Sequence, residues 1–253
     1  MLLWEGPSEF DGVPIIVCAT AESKNSKTGD MIQVMILLRD VAPHVAQRTG
    51  EDQSICYDCP QRPALGDGAS EDGGKCYVAT FQAPNSVWKS YHAGTLETTG
   101  ARRVARALRR GTPIRIGSYG DPAAVPAAVW ERLLRVSRAY GGRGHTGYTH
   151  QWRAPHAQGL RGLLMASADS PADAAEAHAA GWRTFTIVAP GQVPPLGSVE
   201  CLADARGKTC AECGICDGAR PARAKQPASV WIGIHGFRTG LRSKRSAALQ
   251  VIP

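Results

Sequence analysis

The sequence predicts an α/β fold, a complete or partial (β/α) barrel first and an open α/β sheet second, on three observations. Helical and strand patterns alternate from Ala83 onward, each predicted strand runs into polar residues, and 253 residues at 43% hydrophobic can fill one large core. Such alternation implies parallel strands joined by right-handed crossovers. One domain over 1–253 is expected, with a cysteine-rich loop at 41–77 and a cysteine-rich metal-binding insertion at 198–220.

Segments 13–19 and 31–38 are apolar and β-branched, and the polar turn Glu22 to Asp30 between them predicts a hairpin. Val41 to Tyr77 is rich in Gly, Asp, Pro and Cys and reads as a loop. Helices are expected over 84–93 and 99–110, then a strand from Pro113 to Ser118. Pro126 to Tyr140 follows as a helix with Val125, Val129, Leu133, Leu134 and Val136 on its apolar side. Strands at 147–152 and 162–167, a helix from Pro171 to Ala180, and strands at 182–188 and 229–234 complete the series.

In parallel α/β folds the working groups sit where strands end. That rule brings Tyr119, Gly120 and Asp121, then Tyr148, His150 and Gln151, then Asp169, and finally His235 towards one rim. Asp121, His150 and Asp169 are the candidate catalytic groups, a histidine at a strand end being a credible acid or base. Tyr119, Gly120, Tyr148 and Gln151 are the candidate cofactor-binding residues. The structural alternative is that Asp121 and Asp169 cap the Pro-initiated helices that follow them.

Seven of the eight cysteines fall into two groups, Cys56, Cys59 and Cys76, and Cys201, Cys210, Cys213 and Cys216. Met1 to Glu22 is broken by Glu5, Pro7, Asp11 and Pro14 and has no basic n-region, so no secretory signal is expected. No apolar run approaches the roughly 18 residues of a membrane span, and a cytoplasmic location is expected, where clustered thiols signify metal. Four thiolates saturate a zinc ion or a 4Fe-4S iron–sulfur cluster, and the compact Cys-x2-Cys-x2-Cys run favours iron. Three thiolates either recruit a fourth ligand, for which Cys18, His44 and His92 are candidates, or keep a position open for chemistry. Cys18 otherwise reads as a buried apolar thiol.

The net charge is +7, with Arg102, Arg103, Arg106, Arg109 and Arg110 on one predicted helix and Arg238, Arg242, Lys244 and Arg245 near the C-terminus. Arg102, Arg106 and Arg110 share a helix face, so Arg102, Arg103, Arg106 and Arg110 are candidate nucleic-acid contacts as well as ordinary solvated residues. Ser26-Lys27-Thr28-Gly29 resembles the end of a phosphate-binding loop but lacks the glycine five positions before the lysine, which leaves a polar hairpin turn.

On Asn25 to Asp30, Ser54 to Cys59, Lys75 to Tyr77, Gly120-Asp121-Pro122, His145 to Trp152 and Cys210 to Gly218, most of the chain resembles an uncharacterised family of phage and prophage proteins. The three-cysteine loop before a βα series is more distantly similar to the radical S-adenosylmethionine enzymes, although Cys59 and Cys76 stand wider apart than their Cys-x3-Cys-x2-Cys. That likeness implies an iron–sulfur cluster and S-adenosylmethionine as cofactor. The chain also resembles the tRNA-guanine transglycosylase type of barrel, which would place zinc on Cys210, Cys213, Cys216 and His235 and base-exchange carboxylates at Asp121 and Asp169. The expected function is an iron–sulfur enzyme acting on a nucleotide or nucleic acid, in the host cytoplasm if phage-encoded. The alternatives are a non-catalytic nucleic-acid-binding protein with structural metals and a zinc-dependent base-exchange enzyme.

Overall fold

The computed structural model describes residues 1–23, 25–63, 76, 78–218 and 229–233. The fold is mixed α/β around one nine-stranded, mainly parallel sheet. Three strands open the chain: β1 (Leu2–Pro7), β2 (Pro14–Thr20) and β3 (Ile32–Leu38). β1 pairs antiparallel with β2 and β2 antiparallel with β3, the last two forming the expected hairpin. From β3 the sheet is parallel through β4 (Ile114–Tyr119), β5 (His145–Thr149), β6 (Met165–Ala168), β7 (Thr184–Val188) and β9 (Val230–Gly233), and β8 (Val199–Glu200) pairs outside β9.

Because β1 and β8 are the two edges, the sheet is open and the complete barrel does not form among the described residues. β1 lies where the sequence showed no strand pattern, since Glu5 and Pro7 break its apolar run. The segment after β3 is not only loop: α1 (Pro43–Thr49) and α2 (Gln53–Cys56) lie in it, with Gly50 closing α1 at φ 85°. Four further helices follow, α3 (Ala83–His92), α4 (Ala101–Arg109), α5 (Ala127–Ala139) and α6 (Pro171–Ala179), and two single turns, α7 (Leu202–Ala205) and α8 (Cys210–Cys213), come late.

Alternate residues of each strand serve opposite faces. On β4, Ile114 and Ile116 are buried in the main core, whereas Arg115, Gly117 and Tyr119 border a cavity on the other face. α5 turns Trp130, Leu134 and Ser137 inward, and Trp130 Nε1 donates to the Pro122 carbonyl at 2.9 Å. Val136, expected on the apolar side, is exposed, because an indole at 130 with Leu134 one turn later fixes the buried stripe instead. The C-terminal basic group and His235 lie outside the described residues.

Candidate active site and thiol-lined cavity

One face of the sheet borders a cavity of about 920 Å³. Its floor is the period-two set from successive strands: Gln33 and Met35, Arg115 and Tyr119, Thr146, Tyr148 and His150, Ser167, Phe185 and Ile187. All seven grouped cysteines border the same cavity. All eight cysteines are thiols without a disulfide.

The two groups lie towards opposite ends of the parallel strands. Cys56 closes α2, the second helix after β3, and its neighbours in charge are Cys59, Cys76, Asp52 and Asp121. Burial pushes the Cys56 thiol well above its ordinary range, and those acidic neighbours push it further. The loop is braced by Arg62, which donates to Asp52 at 2.6 Å, to the Tyr57 carbonyl at 2.6 Å and to the Gly50 carbonyl at 2.9 Å. Asp52 is only 4% exposed, so Arg62→Met would strand a buried carboxylate. A loss of about 3 kcal/mol in unfolding free energy is expected, measured by urea denaturation of both proteins.

The second group sits against the opposite strand ends. The turn before β3 receives it: Cys210 N donates to the Lys27 carbonyl at 3.1 Å and Ala211 N to the Thr28 carbonyl at 2.9 Å. Thr209 and Glu212 form a capping box over α8. Arg183 donates to Asp217 at 2.9 Å and to the Ile215 carbonyl at 2.8 Å, which pins the end of the loop to β7. Gly218 is required there, since a Cβ would fall 2.4 Å from the Leu164 backbone. Each of Cys201, Cys210 and Cys216 is pushed up first by burial and then by other thiols of the same group. The Tyr148 hydroxyl hydrogen-bonds the Cys216 sulfur, pulling that thiol back down, and the positive charge of Arg115 pulls Cys210 down. Burial of Cys216 nevertheless raises it to about 12. On β4, Arg115 neighbours Cys210 and Tyr119 neighbours Cys56, four residues apart. At ~3.3 Å per residue the two groups are separated by roughly 13 Å of strand.

The candidate catalytic residues do converge, with differing geometry. Asp121 is buried; Oδ1 accepts from the Thr149 hydroxyl at 2.6 Å and Ala123 N at 2.9 Å, and Oδ2 accepts from His150 N at 2.7 Å. Both oxygens are therefore occupied within the protein, and Asp121 holds the end of β5 as well as capping the turn at Pro122–Ala124. Its carboxyl is pushed up by burial, against the pull of His150 and these hydrogen bonds. Asp169 is not the cap of α6; the Ser170 hydroxyl takes that role by accepting from Asp173 N at 3.1 Å. Asp169 instead accepts from Gln61 Nε2 at 2.7 Å and stands 3.7 Å from His150 Nε2.

Gly120, at φ 79°, approaches Ile36 so closely that a Cβ would lie 2.7 Å from that side chain, and this turn rather than a ligand demands glycine. Gln151 does not border the cavity: its amide donates to Asp58 of the cysteine loop. Tyr119 and Tyr148 do border it, the latter tilted at 46° against Phe185 with ring centroids 4.6 Å apart and with the Arg115 guanidinium over its ring at 5.8 Å. His145 is bound to the Leu163 carbonyl at 2.6 Å. Three cavity atoms have no hydrogen bond although buried, namely Tyr119 Oη, Thr146 Oγ1 and His150 Nε2. Tyr119 and His150 were legible as strand-end residues; Thr146, Ser167 and Lys27 needed the strand registers and the docked turn.

No protein family, curated protein or solved structure matches the chain. Its chemistry therefore rests on the cavity. Among the described residues no three His, Cys, Asp or Glu side chains gather about a single-ion position. What the donor set offers is seven soft thiols in two groups around shared space, the donor type that zinc and iron–sulfur clusters both take. Among the described residues no helix is long and apolar enough to cross a membrane. Arg102, Arg103, Arg106, Arg109 and Arg110 are exposed along and just beyond α4.

Proposed function

We propose that this chain is an iron–sulfur enzyme of phage or mobile-element type, built on a partial (β/α) barrel, acting in the host cytoplasm on a nucleotide or nucleic acid. The observation that carries the reading is the set of buried, unbonded polar atoms, Tyr119 Oη, Thr146 Oγ1 and His150 Nε2, facing a cavity walled by thiols. Buried polar atoms are normally satisfied, and three in one cavity indicate a polar ligand. A volume of about 920 Å³ accommodates a nucleotide.

In this reading Cys201, Cys210, Cys213 and Cys216 hold one 4Fe-4S cluster, and Cys56, Cys59 and Cys76 hold a second with one non-cysteine position. Bound clusters supply one-electron chemistry, and the likeness to radical S-adenosylmethionine enzymes makes that cofactor the first to test. The chain's own residues do the rest. Asp121 fixes the main chain of His150, Asp169 flanks the imidazole, and Tyr119, Thr146 and Tyr148 orient the substrate.

The exposed arginines of α4 support the nucleic-acid substrate class and also the second reading, a non-catalytic nucleic-acid-binding protein with structural metals. The zinc transglycosylase reading is weaker, because Cys201 stands with Cys213 and Cys210 in one charge neighbourhood rather than apart from them. The test is anaerobic purification with elemental analysis and an absorbance spectrum. Broad absorption near ~400 nm with several irons per chain is the expected result. A colourless protein holding zinc overturns it.

A further inference from the structure

One end of the cavity carries its cations. Among the described residues, Lys27 and Arg115 are the two Lys or Arg side chains that border it. They come from different elements and meet at the same place. Arg115 pairs with Gln33 on one side and with Thr146 on the other, so the three form a row across β3, β4 and β5. Gln33 Nε2 donates to Thr28 Oγ1 at 3.5 Å, which ties the turn bearing Lys27 to the same row. Thr146 Oγ1, at the far side of that row, is buried without a hydrogen bond.

Two cations beside a buried hydroxyl that needs a partner suit a compact anion with several acceptor oxygens. Of the acidic residues that border the cavity, Glu22 pairs with Arg103 at 3.8 Å, and Asp121 already accepts from Thr149, Ala123 and His150. Asp204 lies in the charge neighbourhood of Lys27, so at this end one carboxylate stands against two cations. The other two unbonded atoms, Tyr119 Oη and His150 Nε2, belong to residues four positions beyond Arg115 and Thr146, roughly 13 Å along the sheet. A polar group is therefore called for at each end of one elongated space. The loop that carries Cys210 is seated on the Lys27 and Thr28 carbonyls and walls the cationic end. A nucleotide inside a polymer has to leave the site on both sides, and this wall stands where the strand would continue past the phosphate.

We infer that the cavity takes a free nucleoside monophosphate and not a nucleotide within a nucleic acid. Its phosphate lies between Lys27 and Arg115 and accepts from Thr146, and its nucleoside extends towards Tyr119 and His150. The inference rests on reading the cavity as a nucleotide site and goes beyond it by choosing the substrate class and its direction.

The experiment is isothermal titration calorimetry on the full chain, purified anaerobically. The probes are the common ribonucleoside and deoxyribonucleoside 5′-monophosphates, the matching nucleosides, and a single-stranded oligonucleotide of mixed sequence without a terminal phosphate. A monophosphate is expected to bind at least about 30-fold more tightly than its nucleoside. Lys27→Met and Arg115→Met are each expected to weaken the monophosphate about 10-fold and to leave the nucleoside unchanged. Lys27→Met keeps the turn, because Cys210 is seated on the Lys27 carbonyl and not on its side chain. Thr146→Val exchanges an unbonded hydroxyl for a methyl of the same size, so it is expected to cost about 5-fold in monophosphate affinity with no fall in the Tm of the unliganded protein. Asp204→Asn gives the sign of the bound group: removing a carboxylate tightens an anion, whereas weaker binding would mean that the ligand presents a cation here and would overturn the inference. Equal binding of monophosphate and nucleoside, or an unchanged monophosphate affinity in both cation variants, overturns it while the nucleotide site stands. Binding of the oligonucleotide without binding of any monophosphate overturns it in favour of a nucleic-acid substrate. A wild type that binds none of these probes overturns the nucleotide site as well.

Discussion

Asp121→Ala is expected to lower the unfolding free energy by about 4 kcal/mol, read from urea denaturation at neutral pH. The substitution removes an acceptor from three donors at once, the Thr149 hydroxyl, Ala123 N and His150 N. The Thr149 hydroxyl and Ala123 N are left in buried sites and His150 N in a part-buried one, and a stranded buried donor costs about 1–3 kcal/mol. Two of the three belong to the end of β5, so the damage is directional. Thr149 N–H and His150 N–H are expected to exchange with solvent faster than amides of β2 and β3, which pack in the separate antiparallel end of the sheet. Asp121→Asn keeps the size and restores only part of the stability, since its amide nitrogen faces donors. A loss below about 1 kcal/mol for Asp121→Ala would mean that solvent reaches this carboxylate and that it does not hold β5.

The sheet was legible in the sequence wherever the pattern carried a single message. β2 and β3 are apolar runs on either side of a polar turn, and they pair as a hairpin. The helix and strand alternation after Ala83 gave parallel strands in chain order, which places residues after β4, β5 and β6 at one end of the sheet. The same strand-end rule brings Asp121, His150 and Asp169 together from the sequence alone. Closure was not legible, because whether a sheet meets its own first strand depends on twist and shear that no single strand encodes. Nor was the division of labour among the three residues. Asp121 looked like an acid or a cap from its Gly-Asp-Pro setting, and only the Thr149 hydroxyl across the strand ends shows that its lone pairs are already used. The turn Asn25 to Gly29 looked like a plain hairpin end. Its carbonyls at Lys27 and Thr28 become a seat for Cys210 and Ala211, which lie more than 180 residues later in the chain. Contacts of that separation leave no local periodicity to read.

That seat leads to the second large effect, in Cys210→Ser with Cys213→Ser. Both thiols lie on α8, a single turn whose main chain is tied to the Lys27 and Thr28 carbonyls. A four-residue helix has almost no stability of its own, so whatever holds the four cysteines together holds this turn as well. If the group binds metal about 1,000-fold below the free metal concentration, the bound state contributes about 4 kcal/mol through mass action. For a chain of this size about 2–4 °C is lost per kcal/mol, so Tm is expected to fall by about 10 °C in the double variant. Metal content is expected to drop by the complement of one group only, with the Cys56, Cys59 and Cys76 site still filled. Arg183 and the capping box remain to dock the loop, so the variant should stay folded, and faster exchange should be confined to Thr28 to Gly29 and Ala211 to Gly214. The comparison that decides the origin of the effect is the wild type stripped by a chelator. If metal is what fastens the C-terminal loop to the N-terminal hairpin, the stripped wild type and the double variant should melt together. If the stripped protein keeps its full Tm, the thiols stabilise this loop only as buried apolar groups and the four-cysteine site holds no structural metal.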